Sequence, residues 1–173
     1  METNEKIISK LRIKNLRGQG YFAFSDCEIS EFSWGNRFAS ILSGTMLLIG
    51  LIMMNTPILI ALNIVLLGGV ILPYNLFDYI YNHVLCKILN KPKIPPRSKQ
   101  AKFAILLAFL LLTITIILFY FEYTTIGYVV GGIVLFTNFI VNATDYCVPA
   151  EMYNLFIQSK KKINVVPTKD TRH

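Results

Sequence analysis

The distribution of apolar residues along the chain is dominated by one uninterrupted run at residues 102–120. After the lysine at its start, this run contains no charge, no proline and no glycine, and thirteen of its residues are Leu, Ile or Phe. At ~1.5 Å per helical residue it crosses the ~30 Å hydrocarbon core of a bilayer. Insertion of these side chains is favourable by about 4–8 kcal/mol. The pattern therefore predicts a transmembrane helix and an integral membrane protein.

Shorter apolar runs complete a predicted set of four spans. They occupy residues 37–54, 57–73 and 126–142. Only a turn around Asn55 separates the first two spans, and only a turn around Tyr123 separates the last two. Turns this short join antiparallel helices. We therefore predict an all-α membrane domain over residues 37–158, built from two helical hairpins.

Each hairpin is followed by a segment with a different pattern, at residues 75–90 and 148–158. In the first segment apolar residues recur at helical spacing, whereas Asp78 and Asn82 occupy other faces. In the second, Pro149 suits a first helical turn and Glu151 favours its positive end. We predict an amphipathic helix at the membrane interface in both places. The linker between the halves, residues 91–99, is basic and rich in proline.

The two ends of the chain are polar. Residues 1–36 are predicted to form a cytoplasmic arm with no cleavable signal peptide, and residues 159–173 a basic cytoplasmic tail. Within the arm, residues 6–17 fit either a short amphipathic helix on the membrane surface or a solvated basic segment. Two glycines then interrupt the pattern, and residues 21–24 are predicted to be a short extended piece.

The two hairpins resemble each other in sequence, which predicts an internal repeat. Because each half contains two spans, both halves enter the membrane from the same side. The predicted symmetry is a pseudo-twofold axis along the membrane normal rather than an inverted repeat. The matching elements are Arg37-Phe38-Ala39 with Lys102-Phe103-Ala104, Gly68-Gly69 with Gly131-Gly132, and Tyr81-Asn82 with Tyr153-Asn154.

The distribution of charge predicts the orientation in the membrane. All 17 Lys and Arg lie in the arm, the linker, the tail or the adjoining helix ends, and neither hairpin turn contains one. By the positive-inside rule both turns face outward and both termini are cytoplasmic, in the inner (plasma) membrane. The net charge is +7, and the basic residues responsible for it flank the apolar spans. We therefore expect anionic lipid headgroups as partners rather than nucleic acid.

Polar residues within the spans are few. No Asp, Glu, Lys or His occupies mid-depth, which argues against an ion-coupled transporter. Asn63, Asn138 and Asn142 either line a small polar pocket near the cytoplasmic end or form interhelical hydrogen bonds worth about 0.6 kcal/mol each. The second interpretation is favoured.

Small residues indicate where helices approach each other closely. The partner of the fourth span is left open by the sequence; it is the third span, the second span or another subunit, so a homodimer or a membrane protein partner fits. The candidate packing residues are Gly68, Gly69, Gly127, Gly131 and Gly132.

The cysteines and histidines do not predict a metal centre or a cofactor. There are 3 Cys without metal-type spacing and 2 His. Cys147 is a weak catalytic candidate because it precedes Pro149 at a predicted helix start, where a thiolate is stabilised. Asp145 opposes that effect, and a buried or interfacial thiol is the favoured interpretation.

From residue 34 to about residue 156 the chain resembles a bacterial membrane family, domain of unknown function 4395. The shared features are the Arg37-Phe38 opening, Pro73-Tyr74-Asn75, the Lys102-Phe103-Ala104 opening, and a cysteine element with a following Tyr153. Many members have Phe-Cys-x-x-Cys in that element, whereas this chain has Tyr146 before Cys147 and Ala150 at the second cysteine position. The resemblance implies a four-helix inner-membrane protein and no activity.

Three functions compete on these observations. The favoured hypothesis is a non-enzymatic accessory or scaffold module of the membrane. The alternatives are a membrane thiol protein that uses Cys147 in redox or sulfur handling, and a small oligomeric transporter or channel.

Overall fold

The computed structural model describes the backbone of residues 2–88 and 92–164 and the side chains of residues 10–88 and 92–156. The described backbone contains helices and turns and no strand. The helices, in chain order, are α1 (Glu2–Gly18), α2 (Asp26–Ile52), α3 (Thr56–Ile71), α4 (Leu76–Ile88, with a π-helical segment at Tyr81–Leu85), α5 (Lys99–Tyr120), α6 (Thr124–Thr144) and α7 (Val148–Asn164). The predicted all-α class is confirmed.

Three of these helices, α2, α5 and α6, are long and apolar enough to cross a membrane. The count rises to up to 4 if α3 and α4, which meet at a bend of 80°, form one broken span. Helix α3 has 16 residues, so it rises about 24 Å, less than the ~30 Å hydrocarbon core. A set of four complete spans and the internal repeat stay predictions.

Helix α2 begins well before the predicted first span. Ser25 Oγ accepts a hydrogen bond from the backbone N–H of Glu28 at 3.4 Å, and the Glu28 carboxylate accepts one from the Ser25 N–H at 2.8 Å. This reciprocal capping begins the helix at Asp26 rather than at Arg37. Residues 26–36 of the predicted arm are therefore the first turns of α2.

The other helix ends follow local sequence signals. The side chains of Asn55 and Ser98 cap α3 and α5, accepting from backbone N–H groups at 3.1 Å and 3.0 Å. Pro57 lies in the first turn of α3. The two short hairpin turns each contain a residue in the left-handed region, Met54 (φ 48°) and Glu122 (φ 64°).

Helices α2, α3, α5 and α6 pack in a ring. Each contacts its two neighbours in the cyclic order α2, α3, α5, α6. Along the length of the helices, one half of the ring's interior is filled by leucines. They include Leu47, Leu51, Leu59 and Leu112, which are nearly or fully buried. The start of α2, the end of α3, the start of α5 and the end of α6 meet at the opposite end, which we call the polar end.

The N-terminal segment packs against the start of α2. Leu16, Tyr21, Ile29 and Phe32 form a separate buried cluster. Residues 6–17 are helical, since all of them lie in α1; the position of this helix on the membrane surface stays a prediction. The predicted extended piece at residues 21–24 is wrong, because these residues form a turn between α1 and α2.

Helix α4 buries two polar residues against the protein and exposes several apolar ones. Leu76, Ile80 and Val84 are 42–51% exposed. Asp78, by contrast, is fully buried, and Asn82 is 9% exposed. Phe77 and Tyr81 are buried as well, whereas His83 and Lys87 are exposed, so the buried side of the helix is mixed rather than purely polar. The exposed apolar residues suit a helix whose outer side meets lipid.

Candidate functional site

Two buried ion pairs form the polar end of the ring. In the first, Arg97 Nε donates to Asp78 Oδ2 at 2.7 Å and Arg97 Nη2 to Asp78 Oδ1 at 2.6 Å. Arg97 also donates to the amide oxygen of Asn36. Burial alone would lower the pKa of Arg97, but the Asp78 carboxylate outweighs that effect and raises it. This contact attaches the linker to α4 and α2.

In the second pair, the partner of Arg37 lies at the other end of the domain sequence. Arg37 Nε donates to Asp145 Oδ1 at 2.9 Å, and Arg37 Nη2 bonds Asp145 Oδ2. Asp145 is 1% exposed and ends α6 in the left-handed conformation. Gln19 Nε2 donates to its carbonyl oxygen at 2.7 Å. The pair thus joins the start of α2 to the end of α6.

The sequence pattern alone did not indicate a site formed by Arg37, Asp78, Arg97 and Asp145. The pattern placed Asp78 on the polar side of an interfacial amphipathic helix, and it did not indicate that the side chain is fully buried in the protein. One signal was present in the sequence: each carboxylate closely follows the second apolar run of a hairpin. An acidic residue at that depth needs a basic partner.

Backbone contacts fix the segments that cross the polar end. Asn82 pairs with the backbone of Ile94, accepting its N–H at 2.8 Å and donating to its carbonyl at 3.3 Å. Asn154, on α7, donates to the carbonyl of Gly18 at 2.7 Å. The asparagines of the two Tyr-Asn matches therefore both bind the backbone of a segment outside their own helix.

A cavity of about 320 Å³ lies inside the ring, next to the ion pairs. Its polar side chains include Arg37, Arg97 and Asp145. Its apolar wall comes from all four ring helices and includes Leu66, Ile105, Leu111, Val134 and Val141. The site is therefore amphipathic, with charged and amide groups at one end and hydrocarbon along the rest.

Two of the three predicted asparagines line this cavity. Asn142 Nδ2 donates to Asn138 Oδ1 at 2.8 Å, and Asn138 Nδ2 to Ser40 Oγ at 3.3 Å. Asn63 lies elsewhere, where it donates to Thr113 Oγ1 at 2.9 Å between α3 and α5. The structure thus contains both a pocket with asparagine in its wall and the interhelical hydrogen bonds.

The five candidate glycines have different surroundings. A Cβ on Gly131 would lie 2.7 Å from Leu51 on α2 and 3.2 Å from Thr115 on α5. One on Gly127 would lie 2.5 Å from Phe119 on α5, and one on Gly132 would meet nothing within 4 Å. The close partners of α6 at these positions are therefore α2 and α5. Gly68 and Gly69 face Leu76 and Asn75, beside the bend into α4.

Cys147 lies at the rim of the cavity, immediately before α7. Burial raises the pKa of its thiol, the backbone N–H of Ala150 opposes that rise, and the nearby Glu151 adds to it. At neutral pH this thiol is therefore less ionised than a free cysteine. Cys86 is also buried, and Cys27 is exposed. The part of the chain described here contains no group of His, Cys, Asp and Glu able to hold a metal ion.

A family model described as Domain of unknown function (DUF4395) matches residues 34–158. The chain belongs to the DUF4395 family. The matched region contains both ion pairs and most of the cavity wall, whereas α1 and Gln19 lie before it. No curated protein and no solved structure matches the chain. DUF4395 is a family of unknown function, so the comparison supplies no activity.

Proposed function

We propose that this DUF4395 protein is a non-enzymatic accessory or scaffold module of the inner membrane of a bacterial cell. The observation that carries the proposal is the pairing of charge at the polar end. Both carboxylates are bound by arginine guanidinium groups, and both are almost completely buried. Groups held in this way connect helices and stabilise their arrangement, whereas an acid or base in catalysis must exchange protons with a substrate.

The same contacts explain how such a module keeps a defined surface. Arg97 joins the linker to α4 and α2, and Arg37 joins α2 to α6. The outer face of α6 carries exposed Val129, Ile133 and Phe136. In this proposal the outer apolar faces contact lipid and one membrane partner, either a second copy or another protein. The basic arm, linker and tail lie in the cytoplasm, against anionic headgroups.

The alternatives receive less support from the geometry. Burial of Cys147 and the raised pKa of its thiol disfavour a reactive thiolate. The cavity lies at one end of the ring, and leucines such as Leu47, Leu51 and Leu112 fill the other half. That arrangement does not favour a polar path across the membrane.

Photocrosslinking in intact membranes tests the proposal. A photoreactive residue would replace Phe136 on α6 (65% exposed), and in a separate variant Ile64 on α3 (62% exposed). A scaffold should give a protein adduct of defined mass from one helix face and none from the other. Lipid adducts alone from both inserted variants would contradict the proposal.

A further inference from the structure

The cavity arises from small side chains on two facing helices. On α5, Ala101, Ala104 and Ala108 follow each other at helical spacing and line the cavity. On α2, Ala39 and Ser43 line it too. Larger residues at these positions would fill the ring as leucines do in its other half. The sequence therefore builds a hollow at this depth instead of a packed core.

One polar side chain in the wall has an unpaired atom. Asn75, between α3 and α4, is 4% exposed and lines the cavity. Within the described residues, its Oδ1 accepts no hydrogen bond. The amide oxygen of Asn142, also in the wall, is buried and unpaired as well. Each buried acceptor without a partner costs about 1–3 kcal/mol, which a bound donor group would offset.

The charges in the wall restrict the ligand. Arg97 is neutralised by Asp78 and Arg37 by Asp145. Arg12, whose Nε lies 4.0 Å from Asp145 Oδ2, does not line the cavity, so an ionic headgroup would find no free counter-charge in the wall. The Asn75 amide can present either its oxygen or its nitrogen, because rotation of the amide exchanges the two atoms. A hydroxyl group both donates and accepts, so it satisfies either orientation.

We infer that the cavity binds an uncharged amphiphile that carries a hydroxyl group. The hydroxyl bonds Asn75 at the polar end, and the hydrocarbon body lies between α2, α3, α5 and α6 against Leu66, Ile105 and Leu111. A water molecule would satisfy the amide but would leave this apolar wall without contacts. The inference goes beyond the proposed scaffold role, since a scaffold needs no ligand in its interior.

Three probes with the same hydrocarbon chain test the inference: dodecanol, dodecanoate and dodecane. The full-length protein in lipid nanodiscs would be titrated with each, and binding followed by the shift of its thermal unfolding and by native mass spectrometry. We expect saturable binding of dodecanol, roughly tenfold tighter than that of dodecane, as one hydrogen bond predicts. The substitution Asn75→Leu should remove that preference and leave the binding of dodecane.

The substitution Ala108→Leu fills the cavity and should abolish binding of dodecanol. Ala61→Leu is the matched control, because Ala61 is exposed on the outer face of α3. Equal stabilisation of the wild type and Ala108→Leu would show partition into the bilayer and overturn the inference. Tighter binding of dodecanoate than of dodecanol would also overturn it, because the ligand would then be anionic. Either result would leave the crosslinking test of the scaffold role unaffected.

Discussion

Arg97 and Asp78 form a buried, doubly hydrogen-bonded ion pair across 19 positions of sequence, with N···O distances of 2.6 Å and 2.7 Å. The Arg97 side chain is 9% exposed and that of Asp78 is fully buried. Because the pair joins the linker to α4, it fixes how the second half of the chain returns to the first. Stability should depend on it more than on any surface pair.

Replacement of Arg97 by Met should therefore lower the free energy of unfolding by about 3–5 kcal/mol, because Asp78 is left as an uncompensated buried charge. The double variant Arg97→Met, Asp78→Leu should recover most of that loss. Unfolding of the purified protein in mixed micelles measures both effects. The matched control is Arg17→Met, since Arg17 and Asp26 are 46% and 66% exposed and such pairs contribute about 0–1 kcal/mol. Equal losses in Arg97→Met and Arg17→Met would contradict the structural role.

Two adjacent glycines on α6 should respond differently to the same substitution. Gly131→Leu places a side chain against Leu51 and Thr115, whereas Gly132→Leu points into open space. We expect overpacking to cost Gly131→Leu about 1–3 kcal/mol and Gly132→Leu much less. The difference in unfolding free energy between the two variants is the measurement. A larger loss in Gly132→Leu would indicate a partner helix on the outer face of α6.

Cys147 should react slowly with a polar maleimide. Burial raises the pKa of its thiol, and each unit of upward shift lowers the thiolate fraction near neutral pH about tenfold. The labelling rate should keep rising with pH beyond the range in which an ordinary thiol is fully ionised. Single-cysteine variants retaining Cys147 or the exposed Cys27 provide the comparison. Faster labelling of Cys147 at neutral pH would restore the thiol hypothesis.

Topology is tested by reporter fusions. Fusions at Asn55 and Tyr123, in the two hairpin turns, should report the periplasmic side, and fusions at Ser98 and His173 the cytoplasmic side. The fusion at Ser98 is decisive, because the linker is cytoplasmic only if α3 with α4 returns the chain across the membrane. A periplasmic signal there would mean three spans rather than four. The fusion at His173 tests the tail, of which residues 165–173 lie outside the described residues.

The order and approximate position of the long helices were predictable from local sequence. Apolar runs of sufficient length specify membrane helices because insertion energy is summed residue by residue. The position of the first hairpin turn also follows from neighbouring residues, since Asn55 caps α3 and Pro57 lies in its first turn. The apolar run does not indicate the start of α2, because the helix begins at the capping residues Ser25 and Glu28, well before the charged residues end.

The contacts that make the candidate site were decided by the tertiary structure. Arg37 and Asp145 are 108 positions apart, and no periodicity relates them. The direction in which α4 faces depends on what packs against it, so its amphipathic pattern alone did not show that Asp78 is buried. Likewise the alanines of α5 indicate small volume, but a cavity forms only because small residues of α2 face them. Local sequence determined which segments are helices. The ion pairs and the burial of Asp78 depend on contacts between distant segments, which come together only when the ring of helices packs.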